Sequence, residues 1–314
     1  MAIIWVVLGV VLLLIGGEWL VRGASRLGQA ARISPLVAGL TIVAVATSAP
    51  ELAVSVRAAL AGESALAVGN VTGSNIANIG LILGLAGLAA PLHVPAQLSR
   101  FDVRVMFGLF VAMGALGLDG SFSAYEGVAL LAALTIYLTA LVVTARRVET
   151  LVGVEAPVVR LTRAQIIGAA ALTATGLGLL VSGADRLVAG AVDLARLLGI
   201  SERVIGLTIV AVGTSLPELA ASVIATLRGE REIALGNVVG SNVFNILGVL
   251  GATTLAAPAG LTVLPQTLAL DFPVMLTAGL ACLWVCRAAR RVHRWEGAAL
   301  FGGYGLYLVI RATG

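Results

Sequence analysis

"GLTIVAVATSAPELAVSV", residues 39–56, returns at 206–223 as "GLTIVAVGTSLPELAASV", and "ALAVGNVTGSNIANIGLILG", residues 65–84, returns at 232–251 as "EIALGNVVGSNVFNILGVLG". Glu51 and Glu218, Ser74 and Ser241, and Asn78 and Asn245 are all separated by the same 167 residues. A constant offset through two motifs marks a duplication. It extends back to Glu18 against Asp185, forward to Pro91 against Pro258 and, with a two-residue slip, to "DVRVM" at 102 against "DFPVM" at 271.

The chain that carries this duplication is 59% hydrophobic and 11% charged over 314 residues, with a mean hydropathy of +1.05. Those values exclude a soluble globular domain and predict an all-α integral membrane protein. Apolar runs between charged or Pro/Gly-marked breaks predict ten helices, near 3–21, 36–59, 65–89, 102–118, 124–145, 164–184, 203–226, 232–256, 270–286 and 296–311. The first run has neither a basic segment before it nor a small-residue cleavage site, so it is read as a retained helix.

Five helices per copy is an odd number, so the second copy must enter the membrane from the opposite side. The expected architecture is therefore two inverted repeats, residues 1–145 and 164–314, joined by a short linker at 146–163. All 20 basic residues are arginine, and the predicted loops divide them fifteen to five between the two sides. A positive-inside bias accounts for the charge without a nucleic-acid partner. It puts the 146–163 linker in the cytoplasm and both termini outside a cell membrane, inner or plasma.

Glu51 and Glu218 stand inside apolar helices, where a bare carboxylate is costly. Pro50 and Pro217 each remove a backbone N–H and crowd the preceding turn, which is expected to free carbonyls near Val43, Ala44, Ala46 and Thr47 and near Val210, Ala211, Gly213 and Thr214. Beside them stand the hydroxyls of Thr47, Ser48, Thr214 and Ser215. The partner motifs add Ser74 with Asn78 and Ser241 with Asn245, each an i, i+4 pair on one helix face. Gly69, Gly73, Gly236 and Gly240 are expected to bring those helices close to the kinked ones. The inventory is oxygen throughout, which suits hard cations. Two carboxylates match one Ca²⁺ or two Na⁺, ions of similar size that can exclude one another from one cage, and mutual exclusion coupled to alternating access is exchange.

The paired "TSAPE…GNVTGSNIAN" and "GTSLPE…GNVVGSNVFN" resemble the two alpha-repeats of the cation/calcium exchanger superfamily, and most resemble prokaryotic sodium/calcium exchangers. The resemblance implies that Glu51 and Glu218 are the central Ca²⁺ ligands, helped by carbonyls of Thr47 and Thr214. It implies that Na⁺ is bound by the same glutamates with Ser48, Ser74, Ser215, Ser241 and the carbonyls of Ala44 and Ala211. It also implies that the first and sixth helices slide across the remaining core. Two departures stand out: Ala46 replaces the first motif's glycine, and Asn245 stands where many relatives carry aspartate. The second leaves the site one carboxylate poorer and bears on ion stoichiometry and potassium dependence. A proton as counter-ion is the alternative, since a buried glutamate can carry one.

Other residues have plainer readings. Asn70, Asn75, Asn237 and Asn242 read as packing or backbone-satisfying residues, and Ser74 and Ser241 could instead back-bond to their own helices. Glu18 and Asp185 read as solvated groups near helix ends, His93 and His293 as loop residues, and Cys282 with Cys286 as small packing residues. An intramembrane enzyme with Ser48 or Ser215 as nucleophile fails for want of a base: there is no lysine, and both histidines lie outside the apolar runs. A cation channel could use the same oxygens, but two kinked, inverted pairs meeting at the midplane suit a carrier better. No cofactor and no obligatory protein partner is expected; the partners are Ca²⁺, Na⁺ and membrane lipid.

Overall fold

The computed structural model describes residues 1–152, 161–200, 205, 209, 211–257, 259–288 and 291–313. The chain forms helices α1 (Ala2–Ala31), α2 (Pro35–Thr47), α3 (Ala49–Leu60), α4 (Ser64–Ala89), α5 (Arg100–Asp119), α6 (Ala124–Val152), α7 (Arg163–Leu197), α8 (Leu216–Leu227), α9 (Arg231–Ala256), α10 (Thr267–Arg287) and α11 (Arg294–Thr313). By length and composition, seven of the described helices can cross a membrane, or eight if α2 and α3, bent by 42° at their junction, count as one. The protein is an all-helical membrane protein.

Most expected boundaries lie within a few residues of these helices, but α1 and α7 overrun theirs, reaching 30 and 35 residues. Charge ended both expected runs, whereas a helix can leave the apolar layer with its charges satisfied on its own face: Arg22 pairs with Glu18 one turn away at 2.6 Å. α1 stops only at Arg32, which adopts a left-handed conformation with φ 55°. α6 likewise runs into the expected linker as far as Val152. The rest of that linker at 153–160, and the expected start of the seventh helix at 203–204, 206–208 and 210, lie outside the described residues.

α4 and α9 form the centre, with 83% and 94% of their apolar windows buried against 28% for α1 and 22% for α7. Their glycines explain the close approach. A Cβ on Gly236 would meet Leu36 O at 2.5 Å, and one on Gly240 would meet Leu40 O at 2.6 Å, so α9 and α2 touch backbone to backbone. Gly69 and Gly73 on α4 have nothing within 4 Å of such a Cβ among the described residues. The segment that mirrors α2 in the second copy, at 203–204, 206–208 and 210, lies outside the described residues, so the expected glycine contact is seen for α9 with α2.

α1 and α7 pack along their whole length on glycines spaced by seven. A Cβ on Gly9 would meet Leu187 N at 2.6 Å, on Gly16 Leu180 N at 2.7 Å, on Gly176 Leu20 N at 2.5 Å and on Gly183 Leu13 N at 2.9 Å. As one number rises the other falls, so the two helices are antiparallel. Buried Leu13, Leu20, Val21 and Ala24 of α1 join Ala221 and Ala225 of α8 in a cluster separate from the main core.

Two short ribbons close the loops. β1 (Leu92–His93) pairs antiparallel with β4 (Arg291–Val292), and β2 (Ser121–Phe122) with β3 (Leu261–Thr262). Each ribbon joins a loop of one copy to a loop of the other.

Candidate cation site

The site is assembled where α2 breaks into α3 and at the equivalent approach to α8. Ser48 leaves the helical region (φ −82°, ψ 7°), and Pro50 then sits in the first turn of α3, where its missing N–H costs nothing. Ser215 has the same geometry (φ −87°, ψ 4°) before Pro217. Each break turns a glutamate inward at the start of a helix; Glu51 and Glu218 are both 1% exposed.

The carbonyls next to the first proline are less free than expected. The Ser48 amide donates to Ala44 O at 3.0 Å and also reaches Ala46 O, while the Thr47 hydroxyl lies 3.1 Å from Val43 O and 3.4 Å from Ala44 O. Ala44 O and Ala46 O thus already face the Ser48 amide, and the single hydrogen of the Thr47 hydroxyl is shared among Val43 O, Ala44 O and, across the copies, Asn237 Oδ1. In the second copy Ser215 N donates to Val212 O at 3.1 Å, and Ala211 opens the helical turn Ala211–Gly213. Val210 lies outside the described residues.

The glutamates are bound crosswise. Ser48 Oγ donates to Glu218 Oε1 at 3.0 Å, and Ser215 Oγ donates to Glu51 Oε1 at 3.3 Å. The second carboxylate oxygen of each, Oε2, is buried with no hydrogen-bond partner among the described residues. An unpartnered buried carboxylate oxygen is expensive, so each is an acceptor held ready for something positive.

The partner motifs pack against the helices that carry the glutamates. Asn78 and Asn245 each open a π-turn, Asn78–Leu83 and Asn245–Leu250, a feature that often marks functional positions in helices. The turn of Asn78 packs on α8, which carries Glu218, and the turn of Asn245 packs on α3, which carries Glu51. Both amide atoms of both asparagines are buried without partners among the described residues. Ser74 and Ser241 are buried one turn before them, and Ser241 Oγ lies 3.4 Å from Asn237 Oδ1. Thr47 and Ala44 are fully buried, and Thr214 is half-buried.

Of the residues given plainer readings, Asn75 and Asn242 donate to helix carbonyls one turn back, Val71 O at 2.9 Å and Val238 O at 2.8 Å. Asn70 and Asn237 do more. Asn70 Nδ2 donates to Glu51 O at 3.2 Å and Ser55 Oγ at 2.9 Å, and Asn237 Nδ2 donates to Glu218 O at 3.3 Å and Ser222 Oγ at 2.9 Å. Sequence reasoning passed over Ser55 and Ser222, although both recur at the repeat offset four residues after the glutamates. Cys282 and Cys286 are free thiols in the core. Among the described residues no cluster of three or more His, Cys, Asp or Glu side chains could hold a metal ion, in keeping with a shell of amides, hydroxyls and carbonyls around two carboxylates.

The two sides of this shell differ. A cavity of about 320 Å³ between α7 and the breaks is lined by Pro50, Val54, Asp185, Gly213, Thr214 and Pro217. At the equivalent place in the other copy, α1 closes on α8: Gly17 is packed against Ile224 and Ala220, and Glu18 forms an ion pair with Arg228.

Comparison with known proteins accords with this geometry. The family model described as sodium/calcium exchanger protein matches residues 1–143 and again 168–313. The chain is 39% identical to the "putative antiporter CaxA" of Alkalimonas amylolytica, over 96% of this chain and 97% of that one. It is 32% identical to the "sodium/calcium exchanger MaX1" of Methanosarcina acetivorans, over 96% of each. A solved structure of the sodium-calcium exchanger NCX_Mj superposes with a TM-score of 0.84 at 30% identity, covering 98% of both chains. Two matched halves, crossed glutamates and near-complete coverage by exchangers lead to one assignment: the chain belongs to the sodium/calcium exchanger protein family and is a transporter, not an enzyme.

Proposed function

We propose that the protein is a secondary antiporter that exchanges Na⁺ for Ca²⁺ by alternating access, through one midplane site made by both copies. The observation that carries this is the crossed pair: each carboxylate spends one oxygen on a serine of the other copy and keeps one unpartnered. One Ca²⁺ or two Na⁺ would neutralise Glu51 and Glu218. Ser48, Ser215, Ser74, Ser241, Asn78 and Asn245, with the carbonyls of Thr47, Thr214, Ala44 and Ala211, would complete the coordination. Because both ions need the same glutamates, neither can bind fully while the other is present.

Ten spans in two inverted five-helix repeats, 1–145 and 164–314, are supported by three features. α1 and α7, equivalent by sequence, are antiparallel. The ribbons join the loop after α4 to the loop after α10 and the loop after α5 to the loop after α9, pairs that share a side if ten spans alternate. The family model matches each half separately. In the cell membrane, with termini outside and the 146–163 linker in the cytoplasm, the cavity beside Asp185 faces outward and the Glu18–Arg228 pair closes the inside.

The test is uptake of labelled Ca²⁺ into proteoliposomes under an outward Na⁺ gradient or an outward proton gradient, each with and without Glu51→Gln. Na⁺-driven uptake abolished by the substitution is the expected result. Uptake driven only by protons would transfer the protein to H⁺/Ca²⁺ exchange, and gradient-independent flux would make it a channel.

A further inference from the structure

The hydrogen bonds around Asn70 and Asn237 form a connected figure that the ligand set alone does not explain. Within its own copy, Asn70 ties α4 to the Glu51 carbonyl and to Ser55, both on α3. Its Oδ1 then faces the other copy, where it lies 3.5 Å from the hydroxyl of Thr214. Asn237 repeats this, tying α9 to the Glu218 carbonyl and Ser222 while its Oδ1 accepts from Thr47 Oγ1 at 3.1 Å. Each asparagine thus uses its donors on one half-site and reaches the other through its acceptor, which in Asn237 also takes the hydroxyl of Ser241. Together with the two serine–glutamate bonds they close a loop through both copies.

We propose that Asn70 and Asn237 are positioning residues: two clasps that hold each glutamate-bearing turn in register with the threonine turn of the opposite copy, so that ligands from both halves converge on one ion. They coordinate nothing themselves, since the Nδ2 groups point at carbonyl and hydroxyl oxygens and the Oδ1 atoms accept from hydroxyls. The clasps also differ with side. Thr47 is fully buried where α1 closes on α8, and its clasp spans 3.1 Å; Thr214 lines the open cavity, and its clasp is at 3.5 Å, the limit of a hydrogen bond. The Asn70–Thr214 clasp is the longer of the two.

This inference rests on the exchange reading of the site, so transport and binding are measured separately. Asn70→Ala, Thr214→Val and the double variant are reconstituted, and KM and Vmax for Na⁺-driven Ca²⁺ uptake are compared with the unsubstituted protein. The expected result is a KM raised roughly tenfold or more by Asn70→Ala, which removes three hydrogen bonds, with Thr214→Val adding less than twofold on top because its contact with Asn70 is already gone. Fully multiplicative effects, or a lower yield of folded protein whose KM is unchanged, would overturn the clasp. In parallel, the rise in melting temperature with added Ca²⁺ is recorded for the purified proteins. If the unsubstituted protein binds Ca²⁺ but does not exchange it, the exchange reading falls and the clasp stands or falls on whether Asn70→Ala weakens the Ca²⁺-dependent shift. No shift in the unsubstituted protein overturns both.

Discussion

Ser48 donates its hydroxyl hydrogen to Glu218 across 170 residues of sequence, at 3.0 Å, in a place where neither group meets solvent. The bond joins the broken end of one copy's helix to the carboxylate of the other, so neither half holds a complete site. Exchange through the proposed site would therefore depend on contacts made between the copies.

Replacing either carboxylate removes half of the charge that offsets a divalent ion. Glu51→Gln and Glu218→Gln should each lower Ca²⁺ uptake by at least a hundredfold, since breaking a buried charge interaction costs about 3–5 kcal/mol. Both variants should remain folded, because glutamine keeps the amide oxygen as acceptor for Ser215 or Ser48. Size-exclusion profiles and uptake rates on the same preparation check this.

Ser48→Ala and Ser215→Ala should behave alike. Each strips one hydroxyl from a charged acceptor, a loss of about 1.5–3 kcal/mol, and so should raise the KM for Ca²⁺ by roughly ten- to a hundredfold. A large effect at one serine and none at the other would show that the two halves contribute unequally. Titrations of initial uptake rate would reveal it.

Asn245→Asp places a third carboxylate on the π-turn that packs against the Glu51 helix. The added charge should increase the number of Na⁺ ions needed to displace Ca²⁺, seen as a steeper Na⁺ dependence of Ca²⁺ efflux. An unchanged Hill coefficient would mean that Asn245 lies outside the shell.

Arg228→Ala should release the closed side. The side chains of Glu18 and Arg228 are 28% and 33% exposed, so the pair contributes less than about 1 kcal/mol to folding. Its effect should appear instead in access: a cysteine introduced at Ala46, the counterpart of cavity-lining Gly213, should react severalfold faster with an impermeant reagent applied from the linker side. An unchanged rate would leave the pair without a latching role.

Much of this site was legible in the sequence because the duplication displayed it twice. Pro50 and Pro217 announced the breaks, and the motif spacing brought Asn78 and Asn245 onto the helices that face the glutamates. What stayed hidden depended on side-chain direction. Asn70 and Asn75 look alike in a string of letters, yet one reaches across to the other copy and the other folds back on its own helix, a choice made by helical phase and by what lies opposite. The carbonyls beside Pro50 were overestimated as free ligands because backbone redirection by Ser48 and Thr47 has no signature in composition. The lengths of α1 and α7 were underestimated because hydropathy follows the membrane, whereas a helix follows its hydrogen bonds.

The seam of glycines between α1 and α7 has a mechanical consequence. Gly9 faces Gly183 and Gly16 faces Gly176, while Gly23 meets Thr173 and Gly190 meets Val6, so on each helix the close contacts recur every seven residues, about 10.5 Å of helix rise. Any smaller slip of one helix along the other would drive a side chain into backbone where only hydrogen now fits. The contact is thus toothed rather than smooth, and in the proposed alternating-access cycle any travel of the two helices over the core would be in mesh, as a single shuttle.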